Sequence, residues 1–226
     1  ETPESRLWHG LSPFGREVVA EMNRLGIMVD LSHVSDEAFD QALALTQAPP
    51  IASHSSCRHF TPGFERNLDD ARIRALAAKG GVLQINFGSS FLTTAANKNA
   101  IDGSLAQAAF VKEKGVAENS PEAKAFEEKW KQENPLPRAN LDDVVAHIDH
   151  VVAIAGIDHV GLGSDFDGVG DSLPYGLRDV SMYPNLFARL LERGYREADI
   201  EKIAGGNLMR VWREAERVAR EMRGKP

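Results

Sequence analysis

Two histidines with similar surroundings lie near the start of the chain. His33 ends the segment DLSH (30–33), and His54 ends the segment IASH (51–54), each after a short apolar run. Imidazole nitrogen is a good ligand for zinc, and a catalytic zinc keeps one position open for water. The pair therefore indicates a metal site. Two structural histidines bonded to the backbone would give the same pattern, so that alternative stays open.

An aspartate and an arginine could complete such a site. Asp165 lies in the segment GSDFDG (163–168), where glycine and serine would let the backbone approach a ligand closely. Its carboxylate could take a proton from water on a metal, although an Asx-turn or a helix-capping role is the alternative. Arg66 could bind a substrate carboxylate through both guanidinium nitrogens, or it could simply be solvated at the surface.

Alternating strands and helices explain how these side chains could meet. Apolar runs predict strands at 27–32, 51–53, 82–87 and 159–164. The helix before the first strand is predicted to begin after Ser12 and to end at Gly26. Such alternation is typical of a parallel α/β fold, in which active-site residues gather at the carboxyl ends of the strands. His33, His54 and Asp165 all fall at strand ends of this kind.

The composition indicates one domain, residues 1–226, because 42% of the residues are apolar and 26% are charged. Residues 93–138 are rich in Ala, Lys, Glu and Gln and have few large apolar side chains. We expect them to form a helical insertion, since they cannot supply a core of their own. A closed (β/α)8 barrel needs eight strand–helix units, so the four predicted units correspond to about half of one.

Several classes of function are disfavoured. The net charge of −7 provides no basic surface for nucleic acid, and the single cysteine, Cys57, excludes a disulfide framework or a cysteine-rich zinc module. No apolar run approaches the roughly 20 residues of a transmembrane helix. Residues 1–10 lack the layout of a signal peptide, as a processed chain would too. We therefore expect a soluble protein whose compartment, cytoplasmic or exported, stays undetermined.

The remaining histidines give weaker signals. His147 and His150 are spaced like a ligand pair on one helix, but that helix has a core-facing apolar side, which favours packing or capping roles. His159 lies at the opposite end of its strand from the predicted site. No role is predicted for His9 or His59.

The combination of motifs resembles the membrane (renal) dipeptidase family. The matching segments, in the family's order, are LSPFG (11–15), DLSHVS (30–35), SHSS (53–56), RN (66–67), GSDFDG (163–168) and GNLMRVW (206–212). The resemblance covers nearly the whole chain apart from 93–138. It implies a (β/α)8 amidohydrolase-like barrel that holds two zinc ions and hydrolyses dipeptides through a metal-bound hydroxide.

The resemblance also implies a role for each site residue. His33 and His54 would be ligands of one zinc, and Arg66 would hold the terminal carboxylate of the dipeptide. Asp165 would handle the proton of the bridging water and then protonate the leaving amine. The family's other zinc ligands, a His-x-Asp pair and a bridging glutamate, lie upstream of LSPFG, which only ten residues precede here. The chain therefore resembles the C-terminal half, about the last four units of the barrel.

Three functions are compatible with this resemblance. One is a zinc dipeptidase completed by the N-terminal half of the barrel, either as a separate chain or as a missing segment. Another is a related metal amidohydrolase that acts on N-acyl amino acids and shares the same ligands. The third is a catalytically silent half-barrel, a subunit or a fragment. An isolated half-barrel would expose strand edges and half of its core, so we expect a homo-oligomer or a bound second half rather than a free monomer.

Overall fold

The computed structural model describes residues 7–224, so most of the segment tested for a signal peptide (residues 1–6) lies outside the described residues. Within 7–224 a parallel sheet has the order β1-β2-β3. Its strands are β1 (Ile51–Ser55), β2 (Val82–Asn86) and β3 (Val160–Ser164). The α/β class with a parallel sheet is therefore confirmed.

Ten α-helices lie in this range, besides short 3₁₀ turns, and a π-helical turn at Lys202–Gly206 joins the last two. They are α1 (Pro13–Leu25), α2 (Asp36–Leu45), α3 (Asp70–Ala78), α4 (Ser89–Leu92), α5 (Thr94–Lys114), α6 (Pro121–Glu133), α7 (Leu141–Ala155), α8 (Tyr183–Glu192), α9 (Glu197–Glu201) and α10 (Asn207–Met222). In the described part of the chain, no helix combines the length and apolar character needed to cross a bilayer.

The predicted strand at 27–32 forms only a short parallel bridge to β1. Asp30 is the bridge partner of Ile51. The backbone N–H of Ile51 donates to the carbonyl oxygen of Val29 (2.9 Å), and the N–H of Leu31 donates to the carbonyl oxygen of Ile51 (2.7 Å). This segment thus occupies the position of a fourth strand beside β1, although it is too short to be assigned as one.

Side chains replace the backbone ladder beyond this bridge. The N–H of Ser53 donates to Oδ1 of Asp30 (3.0 Å), and the N–H of His54 donates to Oγ of Ser32 (3.1 Å). These two donors of β1 are therefore satisfied without a continuous partner strand, as buried or half-buried backbone groups must be. The predicted strand at 27–32 is therefore longer than the observed pairing. A pattern of apolar residues cannot show that side chains, rather than backbone carbonyls, accept the hydrogen bonds of the neighbouring strand.

The core lies between the sheet and helices α3, α7 and α8. All five residues of β2 are buried, as expected of a central parallel strand with both faces covered. Burying one large apolar side chain of this kind stabilises the fold by about 1.5–3 kcal/mol. The largest side chains buried in this core include Phe39, Ile73, Leu76, Leu83, Ile85, Phe87, Ile148, Leu186 and Leu190.

Helix α1 has the predicted ends but buries little of its apolar side. The Oγ of Ser12 accepts from the N–H of Gly15 (2.9 Å), and Gly26 ends the helix in the left-handed region (φ 81°). Of its large apolar residues only Val19 is fully buried. Three apolar side chains of α1 and one just after it are exposed, namely Phe14, Val18, Leu25 and Ile27.

Helices α5 and α6 pack on each other. The rings of Phe110 and Phe126 stack with centroids 4.5 Å apart. Gly103 allows a close approach, because a Cβ there would lie 2.9 Å from the ring of Trp130. The helices contribute few buried residues to the main core. That residues 93–138 are an insertion within a single domain stays a prediction.

Candidate active site

Three residues at the carboxyl end of the sheet have an unusual backbone conformation. They are His33 (φ 64°), Ser164 (φ 22°) and Asp165 (φ 62°), and no other non-glycine residue described in the structure has a positive φ. A side chain in this region costs of order 1 kcal/mol or more, and such residues are concentrated at functional sites. Two of the four residues singled out from the sequence are among these three.

The structure brings His33 and His54 together. Their ring centroids lie 4.8 Å apart and the rings are tilted by 49°. The Nδ1 of His54 is hydrogen-bonded to Oγ of Ser53 (2.6 Å), so Nε2 is the nitrogen left for a ligand. Partial loss of hydration, followed by the positive charges of Arg66 and His54, lowers the pKa of His33, against the opposing effect of Asp165 and Asp30. A lowered pKa favours the neutral imidazole, which is the form that binds metals.

Asp165 follows β3 directly and is joined to the neighbouring strands through Asn86. The fully buried Asn86 at the end of β2 donates from Nδ2 to Oδ2 of Asp165 (2.9 Å). Its Oδ1 accepts from the N–H of Gly88 (2.7 Å), which fixes the orientation of the amide. The turn after Asp165 is closed by the N–H of Gly168, which donates to the carbonyl oxygen of Asp165 (3.0 Å). The carboxylate is therefore held at the same edge of the sheet as the two histidines.

Two positions of the GSDFDG segment require glycine, each for a different structural reason. A Cβ on Gly168 would lie 2.1 Å from Oδ1 of Asp165, so only glycine leaves room for this carboxylate. A Cβ on Gly163 would lie 2.4 Å from the carbonyl oxygen of Ser53 and 2.8 Å from that of Gln84. The space at Gly163 thus serves the approach of β3 to β1 and β2, whereas the sequence had suggested the approach of a ligand.

Arg66 lies on a loop that is fixed at both ends. The loop closes through a parallel bridge between Cys57 and Leu68. The buried side chain of Asn67 accepts from the N–H of Ser56 (2.8 Å) and donates to the carbonyl oxygen of Phe91 (2.8 Å). Arg66 itself is half-buried, and its guanidinium carbon lies 5.2 Å from the centre of the Phe91 ring.

The guanidinium of Arg66 has no carboxylate partner among the residues that the structure describes. Among residues 7–224, no acidic side chain is close enough to form an ion pair with it. Burial lowers its pKa, while the negative charges of Asp165 and Asp30 act in the opposite direction. An arginine stays charged at neutral pH, so this group can receive an anion near the other site residues.

The described residues provide two candidate ligands at this place rather than a complete set. Within 7–224, His33 and His54 are not part of any group of three ligand atoms that all lie within 4.8 Å of one another. A zinc site needs at least three protein ligands, so further donors would have to come from outside this part of the chain.

A separate group of three potential ligands lies between α3 and α7. His59, Asp70 and His150 have ligand atoms within 4.8 Å of one another. Nε2 of His150 is hydrogen-bonded to Oδ1 of Asp70 (2.8 Å), and the two imidazole rings stack with centroids 4.5 Å apart. The lone pairs of stacked rings lie in nearly parallel planes and do not converge on one ion. This geometry favours a hydrogen bond between His150 and Asp70, with His59 stacked on His150, over a metal site.

His147 has a structural environment. It is fully buried, and its Nδ1 accepts from the N–H of Cys57 (3.0 Å) while Nε2 lies 3.0 Å from the carbonyl oxygen of Leu92. These two bonds require the neutral tautomer with hydrogen on Nε2. Burial lowers its pKa to about 4. The expectation of a packing role for His147 is thus met by its contacts.

A cavity of about 540 Å³ lies away from this site, between α5, α6 and the loop after Asp165. Its lining includes Gln107, Trp130 and Arg138, but none of the four site residues named from the sequence. The paired Arg138 and Asp171 lie at its edge (2.5 Å between Nη2 and Oδ2). The chemistry-bearing residues are instead on an open rim of the sheet.

Sequence reasoning did not single out three residues that organise the rim. Asn86 connects β2 to Asp165, while Asp30 and Ser53 connect the 27–32 segment to His54. A polar residue at the end of the apolar run VLQIN was the available signal for Asn86. The available signal for the other two was their place next to the histidines.

Known proteins resemble this chain in sequence and in fold. The sequence profile of "Membrane dipeptidase (Peptidase family M19)" matches residues 1–226. An uncharacterised dipeptidase of Schizosaccharomyces pombe is 39% identical over 217 residues, which are 96% of this chain and 42% of that protein.

Two solved structures are also similar. The probable dipeptidase PvdM from Pseudomonas aeruginosa superposes with a TM-score of 0.76 at 31% identity, over 93% of this chain and 56% of that one. A metallopeptidase from Rhodobacter sphaeroides, crystallised with a phosphinate mimic of the dipeptide L-Ala-D-Ala, gives a TM-score of 0.70 at 30% identity, over 92% and 48%. The chain thus spans about half the length of these relatives. With its whole length matched by the profile, the chain belongs to the membrane dipeptidase family, peptidase family M19.

Proposed function

We propose that this chain carries part of the active site of a zinc-dependent dipeptidase. The observation that supports it most is the pair of imidazoles 4.8 Å apart, at the strand ends from which Asp165 also projects. The guanidinium of Arg66, which has no carboxylate partner in residues 7–224, adds a receptor for a carboxylate. A dipeptide has such a carboxylate at its C-terminus. The mimic of L-Ala-D-Ala bound to the Rhodobacter sphaeroides metallopeptidase agrees with this substrate class.

The chemistry of the donors suits zinc. Both candidate ligands are imidazoles. No described residue is hydrogen-bonded to Nε2 of His54, and the lowered pKa of His33 favours its neutral form. When bound, zinc supplies a Lewis acid that polarises a carbonyl and lowers the pKa of water. By family resemblance we expect two zinc ions per complete site.

Each remaining residue has one task in this proposal. Arg66 binds the terminal carboxylate of the dipeptide and so fixes the position of the scissile bond. Asp165, oriented by the amide of Asn86, accepts the proton of the attacking water on its carboxylate and passes it to the nitrogen of the leaving amine. The positive φ of Asp165 supports this role, because strain of this kind is retained where a side chain must be aimed.

We further propose that the preceding half of a (β/α)8 barrel completes the site. The chain matches 42% and 56% of the length of the Schizosaccharomyces pombe and Pseudomonas aeruginosa relatives, and the 27–32 segment leaves one edge of the described sheet open. On α1 and just after it, Phe14 is 72% exposed and Ile27 is 50% exposed. Exposed large apolar side chains that form one patch indicate a surface that another segment covers. The missing zinc ligands would come from the same segment.

Two other functions remain as candidates. The lack of a third ligand near His33 and His54 in residues 7–224 favours a catalytically silent half-barrel that acts as a subunit or fragment. A related amidohydrolase acting on N-acyl amino acids would use the same residues on a different amide. Association into a homo-oligomer also stays a prediction.

The test combines metal analysis with the intact mass of every chain in the purified protein. Two zinc ions per site, together with the preceding barrel segment and hydrolysis of dipeptides, are the expected result. Faster hydrolysis of N-acyl amino acids than of dipeptides would favour the amidohydrolase. Zinc-free protein without activity, even when the preceding segment is present, would favour the silent half-barrel.

A further inference from the structure

Three side chains form a chain of short hydrogen bonds that ends on His54. Oδ2 of Asp30 lies 2.5 Å from Oγ of Ser53, and this Oγ lies 2.6 Å from Nδ1 of His54. The other oxygen of Asp30, Oδ1, accepts from the N–H groups of Ser32 and Ser53, both at 3.0 Å. The carboxylate is therefore held in one orientation by the backbone.

The direction of these hydrogen bonds follows from the donors available. A carboxylate oxygen only accepts, so the single hydroxyl hydrogen of Ser53 must be donated to Asp30. The Oγ of Ser53 can then only accept from His54, whose Nδ1 must carry the hydrogen. In a neutral imidazole with hydrogen on Nδ1, Nε2 has the free lone pair.

We propose that Asp30 and Ser53 are positioning residues that hold His54 in the tautomer able to bind metal through Nε2. This inference rests on the proposed function, because it takes His54 as a metal ligand. Groups that bond the second nitrogen of a ligating histidine fix its tautomer and ring orientation, and their loss typically weakens metal binding by about 10- to 100-fold. The arrangement also explains why Asp30 and Ser32, rather than a backbone ladder, satisfy the donors of β1.

The substitution Asp30→Asn provides an unusually direct test. The two backbone N–H groups at Oδ1 require an acceptor there, so the amide oxygen must take that position. The NH₂ group then occupies the position of Oδ2 and donates to Ser53. The hydroxyl of Ser53 must in turn donate to Nδ1 of His54, which moves the ring hydrogen to Nε2. Asp30→Asn therefore keeps the shape of the side chain at position 30 but reverses the direction of both hydrogen bonds.

The tautomer is read first, in the metal-free protein, from the ¹⁵N chemical shifts of the His54 ring. We expect a protonated Nδ1 in the unmodified protein and a protonated Nε2 in Asp30→Asn. Ser53→Thr keeps the hydroxyl and should keep the original tautomer. Ser55→Ala is the matched control. Among the described residues the Ser55 hydroxyl bonds to Ser32 alone (3.0 Å), so its removal should leave the His54 ring unchanged.

Zinc affinity is then measured by competition with a chromophoric chelator. Asp30→Asn should weaken binding by about 10- to 100-fold, and Ser53→Ala by about 10-fold or less, since the ring then only loses its orienting partner. The double variant Asp30→Asn with Ser53→Ala should bind zinc more tightly than Asp30→Asn alone. This recovery is expected only if the reversed hydroxyl is what opposes metal binding.

The outcomes separate the inference from the proposed function. If the His54 tautomer is unchanged in Asp30→Asn, or if the double variant recovers no zinc affinity, the inference that Asp30 and Ser53 set this tautomer is overturned. A reversed tautomer with unchanged zinc affinity would uphold the hydrogen-bond direction but overturn its role in metal binding, and with it the assignment of His54 as a ligand. Loss of folding in any variant is detected by circular dichroism. If Asp30→Asn does not fold, Ser53→Ala still tests the inference, because zinc affinity equal to that of Ser53→Thr would overturn it.

Discussion

At the scale of single residues, the rim gathers groups whose ordinary chemistry is complementary. Two imidazoles, a carboxylate oriented by the buried amide of Asn86, and a guanidinium with no carboxylate partner in residues 7–224 lie on the same edge of a parallel sheet. Two of the residues concerned, His33 and Asp165, also have strained backbones. A site built this way can bind a cation, receive an anion and move a proton.

Asp165→Asn tests the proton transfer. In the complete, zinc-loaded protein, we expect kcat for dipeptide hydrolysis to fall by about 10²- to 10⁴-fold, the usual contribution of a general acid–base, with zinc content unchanged. Steady-state kinetics and metal analysis measure the two quantities. Asp167→Asn is the control, since this exposed residue lies only two positions further on. Full activity of Asp165→Asn would end the proposed role.

Arg66→Lys tests carboxylate recognition. Lysine keeps the charge but loses the two-pronged donor geometry, so KM for dipeptides should rise by about 10- to 100-fold, as expected for loss of a charge-assisted hydrogen bond. C-terminally amidated dipeptides should be affected much less. Arg178→Lys is a matched control, because Arg178 also lies over an aromatic ring, that of Tyr175 (5.8 Å). An equal rise in KM for both substrate types would contradict the assignment.

At the scale of elements, buried polar side chains join helices and loops to the strands. His147 on α7 bonds to the backbone at Cys57, just after β1, and lies 3.0 Å from the carbonyl oxygen of Leu92 at the end of α4. Asn67, on the loop that carries Arg66, bonds in the same way to the backbone of Ser56 and of Phe91. Such contacts fix loops that have little apolar burial of their own, so they position the rim.

His147 should make stability depend on pH. Its pKa is about 4 in the folded protein, against an ordinary value of 6.5, because burial disfavours the charged ring and the nearby His150 and His59 add to this. Between pH 4 and pH 6.5, the unfolded chain therefore binds more protons than the folded protein does. The free energy of unfolding should fall as pH decreases from 6.5, by about 3 kcal/mol at pH 4.

Urea denaturation at several pH values measures this effect. The control is His147→Gln, whose amide can bond to both backbone partners and does not titrate. The difference in unfolding free energy between the two proteins should narrow as pH falls through this window. A constant difference would show that His147 does not account for the pH dependence, and an NMR titration of the ring provides an independent reading.

Gly168→Ala tests how the turn after β3 positions the carboxylate. A Cβ would lie 2.1 Å from Oδ1 of Asp165 and must displace it, so activity should fall by at least 10-fold, as for other small misplacements of reacting groups. Thermal stability and activity are measured together. Gly15→Ala in α1 is the control, because its nearest contact would be an ordinary 3.4 Å. Unchanged activity in Gly168→Ala would mean that the position of Asp165 does not matter.

At the scale of the whole molecule, the sheet of the described residues has an open edge, and the helix that leads into the 27–32 segment exposes apolar side chains. Phe14, Val18, Leu25 and Ile27 are exposed on or just after α1. An open edge together with such a surface favours association. The proposed occupant, the preceding half of the barrel, would cover this surface.

Replacing part of this surface should change association without unfolding the chain. We expect the isolated chain to self-associate, and Phe14→Glu with Ile27→Thr to shift it toward monomer in sedimentation velocity. Leu105→Glu is the control, since Leu105 is also exposed but lies on α5, away from the open edge. When the preceding barrel segment is added, the same double substitution should weaken its binding. If only Leu105→Glu altered association, the proposed surface would be wrong.

The sequence by itself determined the features that depend on neighbours along the chain. Apolar periodicity predicted β1, β2 and β3, and Ser12 and Gly26 predicted the ends of α1, because strand alternation and helix caps are local. The positions of His33, His54 and Asp165 at strand ends followed from the same alternation. Motif order also indicated the family that the full-length profile match confirmed.

Only the tertiary structure decided what depends on distances between segments. The bond between Asn86 and Asp165 spans 79 residues, and that between Ser53 and Asp30 spans 23. The shortening of the 27–32 strand and the burial of His147 also depend on contacts between segments that are distant in the sequence. Hydrogen bonds require donor and acceptor within about 3 Å and in line, and periodicity fixes neither condition between distant residues. The physical reason is that a pattern along the chain specifies which face a side chain takes, whereas packing specifies what it meets there.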